Sequence, residues 1–273
     1  MFGRFLRTAY HASFRALLPL RYALADRRLE KNSGMPPAKL RFRVCESLSI
    51  PVFLSVGERC AMLLREAGLD LAATGRVLDF GCGCGRTMRW LVNDSSAELH
   101  GVDVDKEAIA WCRDHIPQGK FAVNDPEPPL PFPDEHFEAV YCLSVFTHLS
   151  EPMQDRWFDE LRRVLVPGGL LIVTVHGAAA AAQMKPEIRE ELNRNGFVHK
   201  RSRKLQGILP DWYHTTLHTP DYIRQRLAAH GFGDIRYEVV SDGIQDVVTA
   251  RALQPGHPHS STGIQTEAVP ASH

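Results

Sequence analysis

The chain has 273 residues, is 44% hydrophobic and 23% charged, and balances 32 Lys plus Arg against 32 Asp plus Glu. That is enough for one full domain with attachments and a self-sufficient core, and the zero net charge sets the chain apart from bulk nucleic-acid binders, which are basic. Its six cysteines are scattered without a CxxC pair, which excludes a disulfide scaffold and fits a reducing cytosol.

Residues 1–34 read as a basic amphipathic helix and linker. Arg4, Arg7, Arg15 and Arg21 precede the first acid, Asp26, and Phe2, Phe5, Leu6, Tyr10, Phe14, Leu17 and Leu18 recur at helical spacing. Arg15 and Arg21 break the apolar run, so it neither spans a bilayer nor makes a signal-peptide core. Three readings stay open: a helix packed on the domain, peripheral contact with an anionic membrane, and an organelle transit peptide. A loop follows around Asn32–Pro37.

Residues 35–253 read as one domain of alternating strands and helices. Arg76–Phe80 is a short buried strand, and Arg86–Val92 a helix with Met88, Leu91 and Val92 apolar. Strands over Glu98–Val104, Phe121–Val123 and Phe137–Leu143, a helix over Lys106–His115, and a helix over Glu151–Leu165 capped by Ser150 come next. Pro167-Gly168-Gly169 ends that last helix, and Leu170–His176 is apolar nearly throughout, as a doubly covered parallel strand should be. Residues 177–218 are too long for a simple connection and read as a lid, with helical turns over Ala178–Ala182 and Pro186–Arg194 and a basic cluster over Lys200–Lys204. Thr219-Pro220-Asp221 starts a helix that stops at Gly231. Ile235–Val240 and Val247–Ala252 are two final strands joined through Asp242-Gly243. The expectation is a five-strand parallel core closed by an antiparallel hairpin. Residues 254–273 lack periodicity and read as a disordered tail; its His257 and His259 do not make a metal site.

The most informative stretch is Val77-Leu78-Asp79-Phe80-Gly81-Cys82-Gly83-Cys84-Gly85-Arg86, a strand running into alternating glycines. Glycine there permits a sharp bend and direct contact between backbone and ligand. The spacing is GxGxG rather than the GxGxxG of the dinucleotide fingerprint. Cys82 and Cys84 supply the small side chains such a loop needs. Acids then stand at successive strand ends: Asp79 at the first, Asp103 at the second, suited to a ribose diol, and Asp125 after the third, suited to an exocyclic adenine amine. Each acid alone reads equally well as a cap or turn former.

Together with Gly101-Val102-Asp103-Val104-Asp105, the Leu130–Cys142 segment and Leu161–Thr174, this stretch resembles a class I S-adenosylmethionine-dependent methyltransferase over about residues 57–252. The resemblance implies a Rossmann-like three-layer α/β sandwich with a mostly parallel seven-stranded sheet and an antiparallel last strand. It implies that Gly81, Cys82, Gly83 and Gly85 border the methionine and ribose portions of S-adenosylmethionine and that Asp79 lies near the methionine amino group. Asp103 would hold the ribose hydroxyls, Val104 the adenine face, and Asp125 or its neighbour Asn124 the adenine amine. Ser144–Leu149, Trp157, Glu160-Leu161, Trp111-Cys112 and Gln245–Val248 are similar to a bacterial subgroup associated with polysaccharide or natural-product assembly.

Methyl transfer from an activated sulfonium is mainly a matter of placement. For a hydroxyl acceptor a base also helps, and histidine is the natural one. His148, after the fourth strand, is the candidate, and it reads equally as a cap or a neighbour's partner; His176 is a second. His214 and His218 are spaced i, i+4, which on a helix would pair them for a metal. No third ligand stands out, so substrate contact is preferred and no metal is expected. Trp212 and Tyr213 could stack on a ring. The function expected is O-methylation of a sugar or hydroxylated small molecule in the cytoplasm. Alternatives are a non-catalytic binding or scaffold module, an aminopropyl transferase, whose acid pair after the fourth strand is missing, and an N-methyltransferase, whose N/D-P-P-Y/F sequence is absent. The acceptor, a small molecule or glycan, depends on the lid.

Overall fold

The computed structural model describes residues 16–27, 34–93, 96–200, 214–240 and 245–254. Residues 16–26 form helix α1. It is followed by α2 (Ala38–Cys45), α3 (Ile50–Glu66), β1 (Arg76–Phe80), β2 (Glu98–Asp103), α4 (Lys106–His115), β3 (Lys120–Val123), β4 (Phe137–Cys142), α5 (Glu151–Val164) and β5 (Leu165–Val175). Then come α6 (Ala178–Ala182), α7 (Pro186–Asn195), β6 (Phe197–Lys200), β7 (Thr215–His218), α8 (Pro220–Ala229), β8 (Phe232–Glu238) and β9 (Asp246–Ala252). Expectations for residues 1–15, 201–213, 241–244 and 255–273 lie outside the described residues.

The main sheet has the order β3-β2-β1-β4-β5-β9-β8. The strands β1 to β5 pair in parallel, and β9 runs antiparallel to both neighbours. This is the expected seven-stranded α/β sandwich, with the last strand inserted between β5 and β8. The period-two pleat sorts side chains to two cores. Val77, Ala139, Tyr141 and Ile172 join Phe53, Leu64 and Ile109 on the face covered by α3 and α4. Leu78, Phe80, Val140 and Val173 join Trp157, Phe158, Leu161 and Leu227 on the face covered by α5 and α8. Both faces are sealed, which explains the nearly continuous apolar strands.

Side chains at the helix starts act as caps, at Thr219 as read from the sequence and at Asp105 in addition. Asp105 Oδ1 accepts from the N–H groups of Glu107 and Ala108 to start α4. Thr219 Oγ1 accepts from Tyr222 N to start α8. Ser150 stands at the N-cap of α5 without a side-chain hydrogen bond. The helix expected over Arg86–Val92 is corrected. It forms as a tight turn with a 3₁₀ core at Met88–Trp90, where Arg89 bonds back to Gly85 but Trp90 and Leu91 bond to the i−3 carbonyls. A segment this short favours the tighter spiral. It is also pinned against α3, because Gly57 lacks the Cβ that would collide with the Arg86 carbonyl. The segment expected to end α5 at Pro167-Gly168-Gly169 instead begins β5: the helix ends at Val164 and the strand starts at Leu165.

The strand order reverses around β1, the usual place for a ligand crevice in an open α/β sheet. Two additions cover this end. At the N-terminal side, α2 lies across the crevice. At the other, α6, α7 and the β6–β7 hairpin form a small unit with its own core of Ala180, Ala181, Leu192, Val198 and Leu217. The hairpin is tied down by Thr216 N donating to the Thr147 carbonyl, 2.9 Å, and His218 N donating to the His176 carbonyl, 2.9 Å.

Candidate functional site

A cavity of about 980 Å³ opens at the carboxyl ends of β1, β2 and β4. That is the upper part of the range for small-molecule sites, ~300–1,000 Å³, so it has room for more than one small molecule.

One end of the cavity is built by the glycine loop. Gly81, Gly83 and Gly85 have φ of 84°, 53° and 69°, a region that favours glycine. The N–H groups of Gly81 and Cys82 donate to the Val102 carbonyl, and Gly83 N donates to Asp103 Oδ2, 2.7 Å. Asp105 N donates to Asp103 Oδ1, 2.8 Å. Asp103 is thus fixed by backbone donors at the cavity wall, with oxygen lone pairs still available for a diol. Gly81, Cys82, Gly83, Asp79, Asp103 and Val104 line the cavity as expected. Gly85 does not: a Cβ there would strike Ile116 and approach Cys112, so it serves the packing of the loop on α4.

Asp79 is buried and faces the same end. Burial, reinforced by the charge of Asp103, pushes its carboxyl up to about 7. The Tyr141 hydroxyl lies beside it and opposes the rise without reaching good hydrogen-bond geometry. Burial likewise raises Asp103, against the opposing effect of its backbone donors. These acids are poised to gain from a cationic or hydroxylated ligand, which would repay their desolvation.

Asp125 is exposed and does not line the cavity, whereas Asn124 is buried and does. Asn124 N donates to the Asp103 carbonyl, which carries the β3 pairing one residue further, and the chain turns outward only at Asp125. The Asn124 amide donates to the Asp125 carbonyl, 2.7 Å, leaving Oδ1 buried without a partner. That oxygen is an acceptor awaiting a donor.

The α2 helix roofs this end through Leu40, Arg43 and Val44. Arg43 donates to Asp105 Oδ2, 2.6 Å, and to Glu107 Oε2, 3.1 Å. The buried Arg41 donates to the Leu48 and Pro36 carbonyls and holds the segment before α3 in place. The sequence reading missed α2 altogether. Its basic residues alternate with apolar ones, and the signal is visible only once the acids of α4 stand opposite.

The other end of the cavity is lined by Leu143, Ser144, Val145, His148, His199 and His214. Ser144 ends β4 with φ 64°, a strained value for a residue other than glycine. Its N–H donates to Thr174 Oγ1, 2.8 Å, and its hydroxyl donates to Gln245 Oε1, 3.0 Å. Thr174 Oγ1 donates to the same Gln245 oxygen, 2.6 Å. This turn brings His148 under the hairpin. His148 Nδ1 lies 2.7 Å from the His214 carbonyl. A carbonyl only accepts, so Nδ1 carries the proton, and Nε2 of the neutral ring carries the lone pair. Burial pushes His148 down to about 4, opposed by the bond to His214.

His176 sits behind His148, ring centroids 6.3 Å apart, with Nδ1 3.1 Å from the Thr216 carbonyl. His214 and His218 do not share a helix face: Thr215–His218 is a strand, and His218 is fully buried with Nε2 on Gln154 Oε1, 3.0 Å. The metal-pair geometry is therefore absent, and among the described residues no cluster of His, Cys, Asp or Glu could hold a metal. His199, which the sequence did not single out, reaches the cavity from β6 and lies 4.9 Å from His214, ring to ring. Lys200, the described residue of the basic cluster, pairs with Glu191 at 2.7 Å.

The comparisons with known proteins agree with this geometry. Residues 77–169 match the family profile described as Methyltransferase domain. That match falls on the strands and loops that build the acidic end of the cavity, and it agrees with the resemblance to class I S-adenosylmethionine-dependent methyltransferases that the sequence motifs carry. The chain is similar to methyltransferase GfsG of Streptomyces halstedii, 31% identical over 131 residues, covering 46% of each chain. It is similar to 2-methyl-6-phytyl-1,4-hydroquinone methyltransferase of Synechocystis, 34% identical over 151 residues, covering 52% of this chain and 46% of that one. The chain therefore spans less than half the length of these relatives. Among solved structures, a methyltransferase from Mesorhizobium loti superposes with TM-score 0.54 at 18% identity, covering 70% of this chain and 96% of that one. The [4+2]-cyclase SpnF superposes with TM-score 0.52 at 21% identity, covering 72% and 80%. These likenesses show the fold.

The residues present fit S-adenosylmethionine. The orphaned Asn124 Oδ1 suits an adenine amine, the fixed Asp103 carboxylate suits a ribose diol, and Asp79 suits an ammonium.

Proposed function

We propose that the chain methylates a hydroxyl of an uncharged small molecule or sugar, with S-adenosylmethionine as donor and His148 as the base. When bound, that cofactor supplies a methyl group already activated on a sulfonium. Asp79, Asp103 and Asn124 hold and orient it, in place of the exposed Asp125. Gly81 and Gly83 let it lie against the backbone.

The observation that carries the hydroxyl reading is the tautomer of His148. With Nδ1–H committed to the His214 carbonyl, the lone pair lies on Nε2 of a ring that lines the cavity. A base held near pKa 4 is weak toward a resting alcohol. It is adequate in the transition state, where the attacking oxygen gains positive charge and its proton becomes strongly acidic. At neutral pH the ring is uncharged and ready, and it does not repel an approaching sulfonium. His199 and His214 border the same space and supply hydrogen-bonding edges, and burial lowers His199. Relatives include O-, C- and N-methyltransferases, among them the fatty-acid O-methyltransferase of Mycolicibacterium smegmatis, 37% identical over 101 residues. An amine acceptor would be cationic before reaction, and the His148 base, held in its neutral form by burial, offers it no opposite charge.

An acceptor screen with labelled S-adenosylmethionine tests the reading. Hydroxylated neutral compounds should take the label in wild type, and His148→Ala should lower turnover while cofactor affinity stays. Full turnover in His148→Ala would overturn the base assignment, and label on amines alone would overturn the hydroxyl.

A further inference from the structure

The helix α1 is apolar on both sides. Leu18, Tyr22 and Ala25 face inward: Leu18 is buried, and Tyr22 packs edge-on against Phe42 of α2, centroids 5.9 Å apart. Asp26 then fixes the end of α1, its Oδ1 accepting from Ala38 N at 2.8 Å and lying 3.6 Å from Arg41 Nη2. The outward side should be polar on a helix of a soluble domain. Instead Leu17, Leu20 and Leu24 are 54%, 58% and 49% exposed. Their spacing of three and four residues puts them on one stripe, about 10 Å long at the helical rise. Leucines scattered singly need no explanation, but a contiguous stripe marks a contact surface.

The charge around the stripe selects its occupant. Residues 1–25 contain Arg4, Arg7, Arg15 and Arg21 and no acid, although the whole chain is neutral. An acid-free basic stretch of sequence that carries an exposed apolar stripe matches the headgroup region of an anionic bilayer, where leucines enter the acyl boundary and arginines meet the lipid phosphates. A second copy is a poor match, since a two-fold contact would set the same basic stripe against itself. Among the described residues no single helix is long and apolar enough to cross a membrane, and the bent pair α2–α3, which passes the same test of length and composition, buries Leu40, Phe42, Phe53 and Leu64 inside the domain.

We infer that α1 docks this protein on an anionic lipid surface through Leu17, Leu20 and Leu24. Docking orients the molecule. Because α1 packs on α2, and Leu40, Arg43 and Val44 of α2 line the cavity, the roof of the site is held next to the bilayer. The inference does not depend on the methyl-transfer reading.

Vesicle flotation of the full chain tests it, with vesicles of phosphatidylcholine alone and of phosphatidylcholine with phosphatidylglycerol. Wild type should float with the anionic vesicles and stay behind with the neutral ones. The triple variant L17S/L20S/L24S, shown folded by an unchanged circular-dichroism melt, should lose at least about tenfold in lipid affinity. A second variant, R4Q/R7Q/R15Q, leaves the stripe intact and should lose affinity for anionic vesicles by a comparable factor. Failure of wild type to float, equal flotation with neutral vesicles, or unchanged flotation of the leucine variant would each overturn the inference. So would conversion of a wild-type dimer to monomer by the leucine variant without any change in lipid binding, because the stripe would then be a contact between copies.

Discussion

The two ends of the cavity are built on opposite principles. The glycine-loop end is made of acids held by backbone donors, drawn from strands that follow one another closely in the chain. The histidine end is made of imidazoles brought together from segments far apart: His148 and the carbonyl that orients it are 66 residues apart in sequence. Burial acts on both, but with opposite consequences. It pushes Asp79 up to about 7 and His148 down to about 4, so near neutral pH it discharges the histidine and leaves the acid half-titrated. One end is prepared to be completed by a cationic, hydroxylated ligand. The other, on the function proposed, takes up a proton without repelling that ligand. A fold that separates the tasks in this way can keep the first end and vary the second.

The largest expected effect breaks the acidic end alone. Asp103→Ala removes the diol acceptor and frees the N–H groups of Gly83 and Asp105, and we expect cofactor affinity to fall by a hundredfold or more, on the order of two charge-assisted hydrogen bonds. Calorimetry reads this, and a loss under about tenfold would show that the acidic end is not the cofactor seat.

Next in size is the histidine end. In His148→Ala, turnover should fall by about 10²–10⁴, the usual range for a positioned base, while cofactor affinity stays within about twofold. Parallel losses in both would mean that the two ends are not separable. His199→Ala sharpens the same contrast at lower amplitude, since it removes a cavity edge without touching the bond that orients His148. It should raise the acceptor KM by about tenfold with little change in kcat, as loss of uniform binding does.

The smallest effect is on stability against acid. A histidine whose folded value is depressed contributes stability that is present above its ordinary value of ~6.5 and lost as pH falls toward 4. Asp79, raised to about 7, acts in the opposite sense over the same window in wild type and variant alike, so differential scanning should show His148→Gln losing less Tm than wild type as pH falls from ~6.5 toward 4. His218, held down to about 3 by burial, contributes in the same direction and will remain in the variant.

The acidic end and the sheet were legible because their signals are local. The helix α4 follows its reading from Lys106 to His115, since Asp105 caps it from the adjacent position and Ile109, Trp111 and Cys112 mark its buried face. The choice between Asp125 and Asn124 needed the structure, because only the turn after β3 shows which side chain points inward. The histidine end was half legible. His148 and His214 stood out as residue types, but their joint action depends on the β6–β7 pairing, in which Lys200 meets Thr215 across a connection that no periodicity announces. His199 had no neighbour in sequence to mark it. Of the stripe on α1 the sequence marked Leu17 alone; Leu20 and Leu24 join it only once α2 shows which side of the helix faces inward.

The central claim is that the acidic end seats S-adenosylmethionine with Asp79 beside its ammonium, and one titration tests it most directly. Wild type is titrated calorimetrically with S-adenosylmethionine at a pH below 7, in two buffers of different ionisation enthalpy. Binding at one site per chain, with release of most of a proton as the ammonium stabilises the Asp79 carboxylate, is the result expected from its raised value. Release should fade above pH 7 and disappear in Asp79→Asn. Absence of binding by folded protein, or binding with no proton release at any pH, would contradict the account.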